Sequence, residues 1–193
     1  MTGIAAHAQT TAQLVATFRS RVEPLGAVVD HVRGTAEAAL IIAAAGESVA
    51  AGTAYASAEL VAAAPTLMAS LADAGLDVRV PADAAEALDR PLGLSLARRA
   101  VAETGSTLLA EPNLPDRATA LVTDLNVAVC RTADLVANLD DIVADLRAVA
   151  AKGGGGYATL VTGPSRTADI EMSLTVGVQG PKRVAVLFVD DLG

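Results

Sequence analysis

The chain reads as an α/β layered fold around a mostly parallel sheet. Apolar runs at 125–130 (LNVAVC) and 183–191 (RVAVLFVDD) are near-continuous, as in strands buried on both faces. Segments of helical periodicity alternate with such runs, and no fixed-period repeat or coiled coil is present. With 193 residues, one domain over 1–193 is the expectation.

The first element is a helix over about 10–23: Leu14, Phe18 and Val22 recur every four residues, with Val15 beside them. Thr10 or Thr11 is available as its cap, and Pro24 ends or kinks it. A short apolar run at 25–32 reads as a strand that ends at His31, and 36–45 is rich in helix formers. SVAAG at 48–52 reads as a buried strand, 58–74 as a second helix closed by Gly75, and DVRV at 77–80 as a strand stopped by Pro81. Residues 98–111 (RRAVAETGSTLLAE) read as two short strands meeting at Thr104-Gly105.

After the strand at 125–130, Asn138 caps a helix with Leu139, Ile142, Val143, Leu146 and Val149 along one face. Asp140 and Asp141 suit its first turn, Arg147 and Lys152 its last. The glycines at 153–156 end it and give slack. YATLVTG (157–163) is another strand, 170–176 a further element, and 183–191 closes the chain.

Composition excludes several function classes. Hydrophobic residues make up 52% but aromatics only 2%, with no tryptophan, so the core must be Ala, Val, Leu and Ile. The net charge of −8 argues against nucleic-acid binding, which wants a basic stripe. No membrane span is expected: the most apolar stretch, 38–46, falls well short of the roughly 20 residues a spanning helix needs. The first arginine is Arg19, so the start of the chain lacks the basic region of a secretory signal. A single cysteine, Cys130, excludes an internal disulfide, reads as a buried inert thiol and fits a cytoplasmic location. No metal site is expected, because neither His7 nor His31 has a partner at ligand spacing. The glycines at 153–156 follow a helix and lack any phosphate-loop pattern. Nothing in the sequence specifies a cofactor.

Two polar constellations stand out. In VTGPSRTADIE (161–171), Gly163-Pro164 makes a turn after a strand, and Ser165 or Thr167 is placed to cap a following helix. At such a corner Arg166 can hold a carboxylate or phosphate beside free N–H groups. Asp169 and Glu171 compete there, and pairing of Arg166 with Asp169 is the plain structural alternative. In AETGST (102–107), Glu103 stands beside the hydroxyls of Thr104, Ser106 and Thr107 at a corner made by Gly105. That carboxylate is either a general base or nucleophile, or the solvated flank of a hairpin.

AETGSTLL, an apolar strand, a capped helix and then TGPSRTADIEMSLTVGVQGPKRVAVLFVDD together resemble the LUD-domain family, that of lactate utilization protein C. The match is best over about 100–191. The resemblance implies a three-layer α/β/α fold similar to the sugar-phosphate isomerase and CoA-transferase group. It also implies a part in oxidation of L-lactate to pyruvate alongside iron–sulfur subunits. The shared positions fall on Glu103, Thr104, Gly105 and Thr107, on Gly163, Ser165, Arg166, Thr167, Asp169 and Glu171, and on Gly180. Two departures are Asn126, where family members often carry histidine, and Ser106-Thr107, which lengthens a more usual Thr-Gly-Thr.

The expectation is therefore an accessory or ligand-binding protein of lactate utilization. A small carboxylate or phosphate would sit where the Glu103–Thr107 corner meets Gly163, Ser165, Arg166, Thr167 and Asp169. Iron–sulfur oxidoreductase subunits, or a second copy of the chain, are the partners to consider. One cysteine cannot supply the roughly four thiolates a cluster needs. The rivals are an autonomous enzyme using Glu103 as a CoA transferase does, and a non-catalytic interaction protein.

Overall fold

The computed structural model describes residues 10–151, 156–168, 174–176 and 180–193. Helix α1 (Thr11–Val22) starts where Thr10 and Gln13 exchange side-chain and backbone hydrogen bonds of 2.8 and 3.3 Å. It ends in a short turn, Glu23–Leu25, in which Pro24 cannot continue the α-helical bonding. Strand β1 (Val28–Gly34) leads into α2 (Thr35–Glu47).

The stretch expected as a strand at 48–52 is instead the turn that closes α2. Ser48 N donates to Ala44 O, and Val49 N and Ala51 N to Gly46 O, so these amides satisfy the helix's last carbonyls. Strand β2 (Thr53–Ala56) follows. The helix expected over 58–74 is broken into α3 (Ala58–Ala63) and α4 (Pro65–Asp73). Pro65 lacks the N–H that would continue α3 and starts a new helix instead.

Next come β3 (Asp77–Arg79), a one-turn α5 (Ala84–Ala87) capped by Asp83, β4 (Leu92–Ala97), β5 (Arg99–Val101) and β6 (Ser106–Leu109). Asn113 caps α6 (Leu114–Leu121), and β7 (Leu125–Arg131) and β8 (Leu135–Val136) follow. Asn138 is the cap as expected, its N–H donating to Asp141 Oδ2 at 2.9 Å, but the first turn, Leu139–Ile142, is a tighter 3-10 turn before α7 (Val143–Ala150). Of the face expected to be buried, Ile142 and Val149 are, while Leu139, Val143 and Leu146 are exposed. Ile142 joins a small cluster with Val101 and Leu108, apart from the two larger cores. Strands β9 (Thr159–Val161), β10 (Arg166–Ala168), β11 (Leu174–Val176) and β12 (Arg183–Asp191) complete the chain.

The central sheet has the order β1-β12-β7-β4-β2-β3, and every pairing in it is parallel. Side chains alternate across it: Val127 and Val129 join one core, Ala128 and Cys130 the other. Helices α2, α3 and α4 cover the first face and α1 and α6 the second, so three layers result. Beyond the end of β4 the chain builds a second sheet, β8-β5-β6-β9, while β10 and β11 pair as an antiparallel ribbon. Among the described residues, no helix is long and apolar enough to cross a membrane.

Helix α6 lies on bare backbone. A Cβ at Gly93 would collide with the Thr119 carbonyl oxygen and come within 2.5 Å of Thr123 Oγ1. Gly93→Ala is therefore expected to push α6 off the sheet at a cost of about 1–3 kcal/mol. A lowered urea midpoint with an unchanged slope would show it.

The connections place a switch point in the sheet. The chain leaves β2 outward to β3 but leaves β4 the other way, towards β7. Between β2 and β4 the two crossovers diverge at the carboxyl ends of the strands, the usual place for a ligand in such a sheet.

Candidate functional site

The two polar corners lie next to each other. Strand β6 pairs with β9 in antiparallel register, Thr107 opposite Val161. Ser106 Oγ and Thr162 Oγ1 share a 2.5 Å hydrogen bond, and Thr107 Oγ1 donates to Val161 O at 3.4 Å. Ser106 and Thr107 are buried, so these groups tie the strands together. Gly105, at φ +68°, lets the corner approach the end of α1, where a Cβ would stand 2.8 Å from Arg21 Cβ.

Glu103 is exposed, and its Oε2 accepts from Leu139 N at 3.0 Å. It thus serves the turn that starts at Asn138. Thr104 Oγ1 is buried without a hydrogen-bond partner.

At the second corner, the helix expected after Gly163-Pro164 is absent. Residues Arg166–Ala168 form β10 instead, paired with β11, with Thr167 opposite Thr175. Strand pairing uses the amides that a helix start would have left free. Ser165 N donates to Pro181 O at 3.1 Å, which ties the corner to the turn before β12. Asp169 and Glu171 lie outside the described residues, as does His7.

A pocket of about 300 Å³ opens here, lined by residues that include Thr162, Gly163, Ser165, Arg166, Gly180 and Pro181. Its described lining takes nothing from Glu103, Thr104, Gly105, Ser106 or Thr107. The corners are neighbours, but the opening belongs to the second of them. Arg166 is exposed at its rim, and its guanidinium makes no ion pair among the described residues. Gly26, at φ +93°, leaves room for it: a Cβ there would stand 2.7 Å from Arg166 Nη2.

Asn126 is buried between β7 and α6, where its Oδ1 accepts from Ser95 Oγ at 2.9 Å and its Nδ2 donates to Thr119 O at 3.4 Å. It holds α6 to the sheet. Cys130 is fully buried, and burial pushes its thiol far up from the usual range. His31 Nε2 stands 2.7 Å from Asp190 Oδ1, and that bond holds the Asp190 carboxyl below its ordinary value. Among the described residues, no group of three or more His, Cys, Asp or Glu is placed to hold a metal ion.

A further polar centre, not singled out in the sequence, lies near the carboxyl ends of β2 and β4. Glu111 and Asp116 are each 2% exposed. Asp116 is fully engaged: Oδ1 accepts from Ala58 N at 2.8 Å and Oδ2 from Asn113 Nδ2 at 2.9 Å. Glu59, just after β2, pairs with Arg98, just after β4, at 2.7 Å. Arg117 stacks on Tyr157 at 4.2 Å and donates to the Glu111 carbonyl at 3.0 Å. Glu111 Oε1 and Arg98 Nε are both buried without a hydrogen-bond partner. Burial first, and then the carboxylates of Asp116 and Glu59, push the Glu111 carboxyl up to about 8, with Arg117 opposing. The sequence signal was weak: one glutamate between a short strand and the cap of an unrecognised helix.

The family model for the LUD domain matches residues 5–189. Lactate utilization protein C of Halalkalibacterium halodurans is 32% identical over 102 residues, covering 52% of this chain and 44% of that protein. The protein of the same name from Geobacillus kaustophilus is 32% identical over 111 residues, covering 56% of this chain and 45% of that one. The matched stretch thus spans less than half the length of these curated relatives. A crystal structure of a DUF162 family protein from Deinococcus radiodurans superposes with a TM-score of 0.64 at 24% identity, covering 94% of this chain and 99% of that one. This last likeness speaks for the fold.

Proposed function

The chain belongs to the LUD domain family, and from that premise we propose that it serves lactate utilization as a ligand-binding subunit. Its ligand is a small carboxylate or phosphate held in the pocket at Gly163, Ser165 and Arg166. The observation that carries this reading is the placement of Arg166: a permanently charged fork at the rim of a 300 Å³ opening, seated over Gly26 and without an ion pair among the described residues. The net charge of −8 does not prevent it, because salt screens distant charges over about 8 Å while a contact charge acts at full strength. The names of the curated relatives support the lactate context. Electron transfer then falls to iron–sulfur partner subunits, since this chain's one cysteine is buried and cannot supply a cluster's ligands.

Inorganic phosphate tests the pocket. Wild-type protein is expected to gain melting temperature with added phosphate, as any ligand of the native state produces. Arg166→Gln should weaken that binding by about 10- to 150-fold, the loss of a charge-assisted bond of some 1.5–3 kcal/mol. Equal phosphate response in both proteins would refute the site. Gly26→Ala should act in the same direction by displacing Arg166 without touching its charge.

A further inference from the structure

We infer that the cavity between α2 and the β1–β12 edge of the central sheet binds a free α-amino acid with an aliphatic side chain, its ammonium on Asp30 and its carboxylate on Arg183. The site is separate from the opening at Gly163, Ser165 and Arg166, and the inference does not rest on the lactate-utilization reading.

The cavity comes from small side chains. Protein interiors pack with few voids larger than a water molecule. Yet about 350 Å³ lies open between α2 and the amino-terminal halves of β1, β12 and β7. Helix α2 brings Ala44 and Ala45 to this space, and β12 brings Ala185. Ile41, Val127 and Leu187 complete an apolar lining, and Val28, 57% exposed on the edge strand β1, stands at the mouth. The volume is in the range of small-ligand pockets, and the lining favours an aliphatic group.

Two charged side chains of opposite sign, Asp30 and Arg183, line the same cavity. Asp30 is half-buried and Arg183 is exposed. Neither side chain makes a hydrogen bond or ion pair among the described residues. The hydroxyl in the lining, that of Ser48, is spent on Ala45 O at 2.7 Å, and the adjacent Lys182 is spent on Asp124 at 2.7 Å. Strand register puts the two free charges on one face. Val28 stands opposite Ala185 and Asp30 opposite Leu187, while Val29 turns to the other core. Leu187 lies four residues beyond Arg183 on β12, about 13 Å of strand. An aspartate, a bridging head group with two hydrogen bonds of about 2.9 Å, and an arginine side chain together fill that span.

A ligand that uses both charges must carry a cation and an anion a few ångströms apart on an apolar body. An α-amino acid does so. An aliphatic carboxylate would use Arg183 alone and bring its charge towards Asp30, and an aliphatic amine would leave Arg183 unpaired. An inorganic ion would use one charge and none of the apolar lining.

The experiment is calorimetric titration of the full chain at pH 7 with L-leucine, with isocaproate, which lacks only the ammonium, and with isopentylamine, which lacks only the carboxylate. Leucine is expected to bind wild type, and each analogue about tenfold or more weakly, through loss of one charge-assisted bond. Asp30→Asn should bring leucine down towards isocaproate, and Arg183→Gln should bring it down towards isopentylamine. Arg166→Gln should leave leucine binding as in wild type. Neither Asp30 nor Arg183 holds another side chain in place, and the comparison of the three ligands needs no variant. The inference is overturned if leucine fails to bind, or if either analogue binds wild type as tightly as leucine. It is overturned equally if leucine binding survives Asp30→Asn and Arg183→Gln, or is lost with Arg166→Gln.

Discussion

Glu111→Gln is expected to make the protein more stable above pH 8 by several kcal/mol and to change little near pH 4. The folded protein keeps the Glu111 proton up to about pH 8, whereas the ordinary value is 4.5. Between those values the folded state binds more protons than the unfolded state, so stability falls as pH rises. The slope from this one group approaches about 1.4 kcal/mol per pH unit in mid-window. Below about pH 4.5 the carboxyl is neutral in both states and costs nothing extra. Above about pH 8 the full cost of a buried, unpaired carboxylate is present. Glutamine is neutral throughout and removes this slope. Urea denaturation of both proteins from pH 4 to 9 gives the difference directly and cancels other titrating groups, including Asp190. If the two curves run parallel over that range, Glu111 is not held neutral in the folded protein.

Phe188→Ala should be the most damaging core substitution, at about 3–5 kcal/mol. The chain has two phenylalanines and no tryptophan. Both phenylalanines are fully buried, and they meet edge to face with centroids 5.1 Å apart. Phe18 comes from α1 and Phe188 from β12, inside the central sheet, so this pair pins the first helix to the sheet. Around it the core is mostly small: Ala27, Ala97, Ala100, Ala102, Ala120 and Ala128. Such neighbours have little side chain with which to fill the space left. The loss should also reach the pocket, because the end of α1 abuts Gly105 and the turn after it abuts Arg166. Phosphate binding is expected to weaken with Phe188→Ala and much less with Phe188→Leu. A loss below about 1 kcal/mol would mean that α1 does not depend on this contact.

The long, strongly patterned elements were legible from the residues. LNVAVC and RVAVLFVDD are β7 and β12, side by side at the centre of the sheet, where both faces are covered and, Asn126 and the charged ends of β12 apart, the positions are apolar. Thr10, the apolar spacing of α1 and Pro24 set the first helix and its end through local hydrogen bonding alone. The corner at Thr104-Gly105 was equally local, since it needs a residue at positive φ. Where the reading failed, the segments were short or their local signals conflicted. SVAAG forms the turn that closes the helix before it, and Pro65 divided a helix whose apolar pattern ran on regardless. The single turn of α5 and the eight residues of α6 are too short for periodicity to identify. Glycine and proline at 163–164 announced a turn but carried no sign of what followed it, and a strand in a ribbon took the place of the expected helix.

The sequence by itself determined the layered class, the two-sided central strands, the first helix and the presence of one arginine at a turn, because each depends on neighbours a few residues away. Only the tertiary structure decided which opening that arginine serves, that Glu103 caps a turn across the small sheet, and that Glu111 is left unpaired between the ends of β2 and β4. Those outcomes depend on strand order and on the close approach of segments tens of residues apart. Burial and the pairing of charges are properties of that assembly, and no local pattern encodes them.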